Sequence, residues 1–168
     1  MLDVGSRSRS CFVAGLRQDG SVTAAVRIGE QDGSEWLGFD LREVLDAVGP
    51  HEELAWVLYD AQFNGDVRTV WPEGWESVQR RSDMPGGVPL TWQEMQTLGA
   101  TCQQIIDGRF TGYDEAGHPL LQVQAVDSSY WIIWAQDAAI LERVRGRFVV
   151  EDYEEPPPEA APGGGLVT

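Results

Sequence analysis

The chain of 168 residues carries 27 acidic against 12 basic side chains, which gives a formal net charge of -15 at pH 7. Every one of those basic residues is an arginine, so reactions that need a lysine, such as Schiff-base formation, are excluded. Nucleic acid and membranes are not expected as partners, because clustered cations are needed to bind phosphate backbones and anionic lipids. Hydrophobic residues make up 42% of the chain, which is enough to build one core.

The N-terminal part of the chain predicts strands followed by a helix. Residues 1–10 contain no apolar run of signal-peptide length, so we expect a flexible N-terminus and a cytoplasmic protein. Residues 11–28 have the pattern of a β-hairpin. Asp40 with Glu43 three residues later is a capping-box pattern, and the apolar helical stripe that follows ends at Gly49.

The middle of the chain is less regular. Residues 54–59 are apolar and aromatic, and the turn-forming pair Asn64-Gly65 separates them from residues 67–71, so we predict a second strand pair. Residues 72–89 are interrupted by glycine and proline, which indicates a loop.

A second capping box, Thr91 with Glu94, opens a helix whose apolar stripe is predicted to continue to Ile106. Asp137 is the predicted N-cap of the last helix. Between these two helices the pattern predicts three strands, at residues 109–113, 120–126 and 130–135.

At residue 151 the composition becomes acidic and rich in proline and glycine, so residues 151–168 are predicted to form a disordered tail. Residues 11–150 are predicted to form a single α+β domain. Its expected architecture is a mainly antiparallel sheet with about three helices packed on one face.

Few residues suggest metal or nucleophilic chemistry. Cys11 and Cys102 are predicted to be small buried hydrophobes, and neither they nor His51 and His118 have the short spacing of a metal site. A catalytic thiol at Cys102 is the alternative, but it needs a base nearby. We therefore expect no metal and no cofactor.

Residues 127–131 form the most distinctive segment, because the polar run Asp127-Ser128-Ser129 separates two apolar strands. A turn, in which Asp127 accepts backbone hydrogen bonds, is favoured over a serine nucleophile. Trp131 and Trp134 should point to opposite faces of their strand, so one of them is expected to be exposed unless the strand is covered on both sides.

Tryptophan beside acidic residues is typical of a protein-contact surface. Trp71, Glu73, Trp75 and Glu76 have this composition and are the candidate partner-binding residues, although core packing or loop anchoring also explains the two tryptophans.

The segment 121–148, in which Ala125-Val126-Asp127-Ser128-Ser129-Tyr130-Trp131 precedes the helix capped by Asp137, resembles the C-terminal strand, turn, strand and helix of small bacterial proteins. Some of those resemble immunity proteins of toxin systems. The resemblance implies a non-enzymatic inhibitor that covers the active site of a toxin. Many toxins attack nucleic acids through basic clefts, and an acidic surface complements such a cleft.

The expected function is therefore the binding of a protein partner with a basic surface. Two alternatives stay open: an enzyme that uses carboxylates, and an adaptor component of a larger assembly. A carboxylate with a strongly raised pKa in a pocket favours the enzyme, and a large exposed apolar patch favours the adaptor. The sequence does not define the oligomeric state.

Overall fold

The computed structural model describes residues 24–29 and 40–162. This part of the chain contains seven strands and four helices. In chain order the elements are β1 (Ala24–Ile28), α1 (Leu41–Val48), β2 (Ala55–Asn64), α2 (Trp75–Ser82), β3 (Val88–Leu90), α3 (Trp92–Thr101), β4 (Gln104–Tyr113), β5 (Pro119–Val126), β6 (Tyr130–Ala135), α4 (Ala138–Arg147) and β7 (Val150–Tyr153).

The strands form one antiparallel sheet in the order β3-β2-β4-β5-β6-β1-β7. Apolar side chains of all four helices join alternate strand residues, such as Leu58, Phe110 and Ile133, in the main hydrophobic core. The predicted α+β class with helices packed on a mainly antiparallel sheet is confirmed. The helices number four rather than about three.

Both capping boxes are present. The carboxylate of Asp40 accepts a hydrogen bond from the backbone N–H of Glu43 at 3.2 Å, and the carboxylate of Glu43 accepts one from the backbone N–H of Asp40 at 3.1 Å. Thr91 and Glu94 make the same reciprocal pair at the start of α3. These local patterns satisfy the free N–H groups of a helix start, so they are readable without tertiary context.

The helix α3 ends at Thr101, before the predicted end at Ile106. Cys102 already has extended backbone angles, with φ of -75° and ψ of 131°. Ile105 and Ile106 belong to β4 instead, in agreement with the preference of β-branched residues for strands.

The predicted strand at residues 67–71 is wrong, because this segment is a turn. The backbone N–H groups of Val70 and Trp71 both donate to the carbonyl oxygen of Val67, at 3.0 and 2.9 Å. This turn lets Val67 and Trp71, four residues apart, both enter the core. Their apolar spacing therefore indicates a helical turn and not the alternation of a strand.

The predicted loop at residues 72–89 contains α2 and the short strand β3. The start of α2 gives no capping signal, because its N-cap is Gly74 at a positive φ of 83° and no side chain caps the helix. The strand β3 has only three residues and includes Pro89, which is compatible with its position at the edge of the sheet.

The predicted domain boundary at residue 150 is also wrong, because residues 150–153 form the edge strand β7. This strand pairs with β1, with Ala25 opposite Tyr153 and Ile28 opposite Val150. Without β7, the outer edge of β1 would leave backbone groups unpaired. The described chain then continues through residues 154–162 without regular structure.

Some predictions fall on residues that the structure does not describe. They are the flexible segment 1–10, the first strand of the predicted hairpin with Cys11, and residues 163–168. The second strand of that hairpin is present as β1, but its two edges pair with β6 and β7, so the predicted pairing of β1 with residues 11–16 in a hairpin is wrong. Over the described ranges, no helix has the length and apolar character needed to cross a membrane.

Candidate functional site

The four candidate partner-binding residues separate into one core residue and three surface residues. Trp71 is only 6% exposed, and its ring centroid lies 6.0 Å from that of Phe63 in the main core. Trp71 therefore cannot contact a partner in this structure, and its place in the predicted patch is wrong. Its turn points it inward because Val67 and Trp71 share one side of the turn.

The other three residues, Glu73, Trp75 and Glu76, lie at the surface and are called the Trp75 patch below. Trp75 is 46% exposed in the first turn of α2. Glu73 accepts a hydrogen bond from Nη1 of Arg81 at 2.7 Å, so part of its charge is compensated locally. Because Arg80 is also exposed on this helix, the patch is less acidic than its sequence suggests.

Cys102 follows α3 and is half-buried. Burial raises the pKa of its thiol, and Sγ lies 3.2 Å from the carbonyl oxygen of Gln104. The two histidines contact other side chains, since Nδ1 of His51 lies 3.1 Å from Glu53 and Nδ1 of His118 lies 3.2 Å from Asp114. The raised pKa of Cys102 favours its protonated thiol at neutral pH, and a protonated thiol is a poor nucleophile.

The turn prediction at residues 127–129 is confirmed. Asp127 and Ser128 have positive φ angles of 47° and 54°, which suit a tight hairpin between β5 and β6. The carboxylate that accepts a backbone hydrogen bond is that of Asp107, which lies 2.9 Å from the N–H of Asp127. We expected the carboxylate of Asp127 to accept such a bond, but among the described residues it accepts none.

Trp131 and Trp134 do point to opposite faces, but both are buried, with 2% and 3% of their surface exposed. The expected exposure of one of them is wrong. The face opposite the helices carries its own apolar cluster, in which Trp134 packs with Ala25, Ile132 and Tyr153. The sheet is therefore covered on both sides at β6.

The same opposite face becomes polar and aromatic toward β2 and β4. Arg109 faces Tyr59 across the β2–β4 pair, and Thr111 faces Gln122 across the β4–β5 pair. We call the surface formed by these four residues and Tyr113 the platform. No sequence motif indicates the platform. Polar residues at alternate positions of the predicted apolar strands are nevertheless a signal from which this polar face could have been predicted.

Hydrogen bonds connect the platform side chains. The hydroxyl oxygens of Tyr59 and Tyr113 lie 3.4 Å apart, and Thr111 Oγ1 donates to Gln122 Oε1 at 3.3 Å. Burial, with a smaller contribution from Tyr113, raises the pKa of Tyr59. Tyr59 therefore keeps its hydroxyl proton at neutral pH and can donate a hydrogen bond.

One ion pair lies at the edge of the platform. Nε and Nη2 of Arg109 donate to Oδ2 of Asp60 at 3.0 and 2.6 Å, and the guanidinium lies 5.6 Å from the centre of the Tyr59 ring. Asp60 has a positive φ of 50°, and the register between β2 and β4 shifts after Tyr59. This bulge directs the Asp60 carboxylate toward Arg109.

The platform is the floor of a groove of about 400 Å³. One wall is the loop after α2, which includes Asp83 and Met84, and the other is the C-terminal segment, which includes Pro158 and Pro162. The loop lies very close to the sheet at Gly87, where a Cβ would be only 2.5 Å from Cγ1 of Val57. Only glycine fits at that approach.

The C-terminal segment is attached to the domain beyond β7. The backbone N–H of Ala161 donates to the carbonyl oxygen of Gly117 at 2.9 Å, in the turn between β4 and β5. Glu155 is half-buried, and burial raises the pKa of its carboxyl group against the opposing effect of Arg109. The expectation of a disordered tail is therefore wrong for residues 154–162 as well.

Comparisons of the chain with protein-family models, with curated proteins and with solved structures gave no match. Among residues 24–29 and 40–162, no group of three or more His, Cys, Asp or Glu side chains could hold a metal ion. The two candidate surfaces are thus the Trp75 patch and the groove above the platform.

Proposed function

We propose that this protein binds another protein that has a basic surface, and that its biological role is to neutralise a toxin in the manner of an immunity protein. The observation that carries the proposal is the exposure of Trp75 on a strongly acidic protein. A tryptophan that is 46% exposed leaves a large apolar ring in water, and such rings are frequent binding hot spots.

The charge of the whole molecule supports the choice of partner. Six arginines already pair with carboxylates: Arg27, Arg68, Arg81, Arg109, Arg145 and Arg147. Acidic side chains such as Glu52, Glu76 and Glu115 are exposed and have no cationic partner within the described part of the chain. The net charge of -15 therefore acts at long range on a basic partner and accelerates association.

The three residues of the Trp75 patch are expected to contribute to binding in different ways. Trp75 provides apolar contact area, so its loss raises the dissociation rate. Glu76 contributes to electrostatic attraction and therefore mainly to the association rate. Glu73 contributes less, because its carboxylate is already paired with Arg81.

A site-specific photo-crosslink from position 75 tests the proposal. A photoreactive phenylalanine analogue replaces Trp75 in the full chain, and the matched control carries it at Gln96, which is exposed on α3. We expect a basic protein to be captured from the native host at position 75 and not at position 96. Expression of that protein alone should arrest growth, and co-expression with this chain should restore it.

Two outcomes contradict the proposal. If the captured protein is acidic, or if its affinity is unchanged by ionic strength and by Trp75→Ala, the charge and tryptophan arguments both fail. If the partner binds but is not toxic, protein binding stands and toxin neutralisation is rejected.

A further inference from the structure

The segment 154–162 lies against the platform with few specific bonds. Its hydrogen bond from Ala161 to Gly117 is the one backbone bond found for this segment in the described chain. Its consecutive prolines, Pro156 to Pro158, favour an extended conformation that needs no internal hydrogen bonds. Grooves that contain tyrosines are known to accept such segments, because the preformed conformation loses little entropy on binding.

The charges of the segment do not match those of the groove. The segment brings Glu155 and Glu159, while Asp60 and Asp83 already line the groove. Arg109 is the groove cation, and its guanidinium is bonded to Asp60. Glu155 shows the same mismatch. Its side chain is half-buried, and its Oε2 atom is buried without a hydrogen-bond partner in the described structure.

The segment follows β7 directly, and this covalent connection keeps it close to the platform. A linked segment binds at a high effective concentration, of about millimolar order for short flexible linkers, so even weak contacts keep it docked. A positively charged segment of another protein would be attracted to Asp60, Asp83 and the exposed surface around them. The acidic resident segment is repelled there. The positively charged segment would therefore displace the resident segment when its own affinity is sufficient.

We propose that the platform is a binding site for an extended, proline-rich and basic segment of a partner protein, and that residues 154–162, which form one wall of the groove, cover part of the platform in the free protein. This site is distinct from the Trp75 patch, since Trp75 does not line the groove. The inference consequently stands or fails apart from toxin neutralisation.

Two synthetic nonapeptides test the proposal on the full chain. One has the sequence of residues 154–162, and in the other the three glutamates are replaced by arginine. Binding is followed by backbone amide chemical shifts in NMR and by calorimetry at low and high salt. A folded variant, Ala161→Pro, removes the N–H that donates to Gly117, and Ala160→Pro is the matched control that leaves this bond intact.

We expect the arginine peptide to shift the amides of Tyr59, Thr111 and Gly117, and to bind more weakly at high salt. Release of the resident segment should increase the fraction of open groove, so Ala161→Pro should bind at least about threefold more tightly than the wild type or Ala160→Pro. Thermal unfolding of both variants confirms that they are folded.

The proposal is overturned if the arginine peptide shifts no platform amide in either protein, or if it binds with equal affinity to Ala161→Pro and to Ala160→Pro. It is also overturned if the acidic peptide binds as tightly as the basic one at low salt. Shifts confined to the Trp75 patch would reject the groove and leave the proposed function untouched.

Discussion

Replacing Trp71 and Trp75 separately by alanine distinguishes a core tryptophan from a surface tryptophan that lies four positions further along the chain. Trp71 is 6% exposed and packs on Phe63 with an interplanar angle of 33°. Truncation of a buried tryptophan removes about 3–5 kcal/mol from the free energy of unfolding. In a domain of this size that loss lowers the Tm by about 6–20 °C.

The matched variant, Trp75→Ala, changes a ring that is 46% exposed. Its expected loss is about 1 kcal/mol or less, because much of the ring is already in water. Urea denaturation followed by circular dichroism gives both free energies under the same conditions. If Trp71→Ala lost less than about 1 kcal/mol, or if the two variants were equally destabilised, the assignment of Trp71 to the core would be refuted.

Three further results are expected. A chain ending at Val149 should melt several degrees below a chain ending at Tyr153, because it lacks β7 and its pairing with β1; equal Tm values in calorimetry would exclude a stabilising role for β7. Cys102 should react slowly with a thiol reagent in the native protein and quickly in urea, since burial raises its pKa; fast native labelling would reopen the catalytic thiol. Burial raises the pKa of Glu155 above 4.5, so docking of the C-terminal segment is strongest below that pH and weakens as the pH rises through the raised pKa. Glu155→Gln should therefore slow hydrogen exchange at the docked segment at neutral pH, whereas Glu154→Gln, at an exposed position, should not; equal exchange in the two variants would contradict the burial argument.

Local signals explain which helices were predictable. The N-caps Asp40, Thr91 and Asp137 accept hydrogen bonds from backbone groups within three residues, so their sequence patterns suffice. The helix α2 has no such group at Gly74, and it is held by packing of Val78 in the core. A helix that depends on tertiary contacts leaves little trace in local sequence.

The errors at the C-terminus have a different cause. Average composition indicated disorder after residue 150, but Val150 and Tyr153 face existing partners on β1, and Ala161 finds a free carbonyl at Gly117. Composition describes the mean of a segment, whereas docking depends on single contacts at fixed places in the fold.

The candidate surfaces were predictable only in part. Glu73, Trp75 and Glu76 are neighbours in the sequence, and they lie at the surface around the start of α2, where Glu73 precedes the N-cap Gly74. Alternating polar residues mark one face of each platform strand, but the assembly of the platform also needs the pairing of Tyr59 with Arg109 and of Thr111 with Gln122 across three strands. The bulge at Asp60, which completes the ion pair, is set by that pairing as well.

The position of β1 between β6 and β7 bears on how the protein is made. Ile28 pairs with Trp131 on one side and with Val150 on the other, so both neighbours of this early strand are synthesised last. During synthesis on the ribosome, the backbone of β1 and its apolar residues Val26 and Ile28 stay without their strand partners until nearly the whole described chain has emerged. Such long-range closure slows folding and exposes an aggregation-prone edge. The sheet is therefore complete only after β7 has been synthesised and has paired with β1.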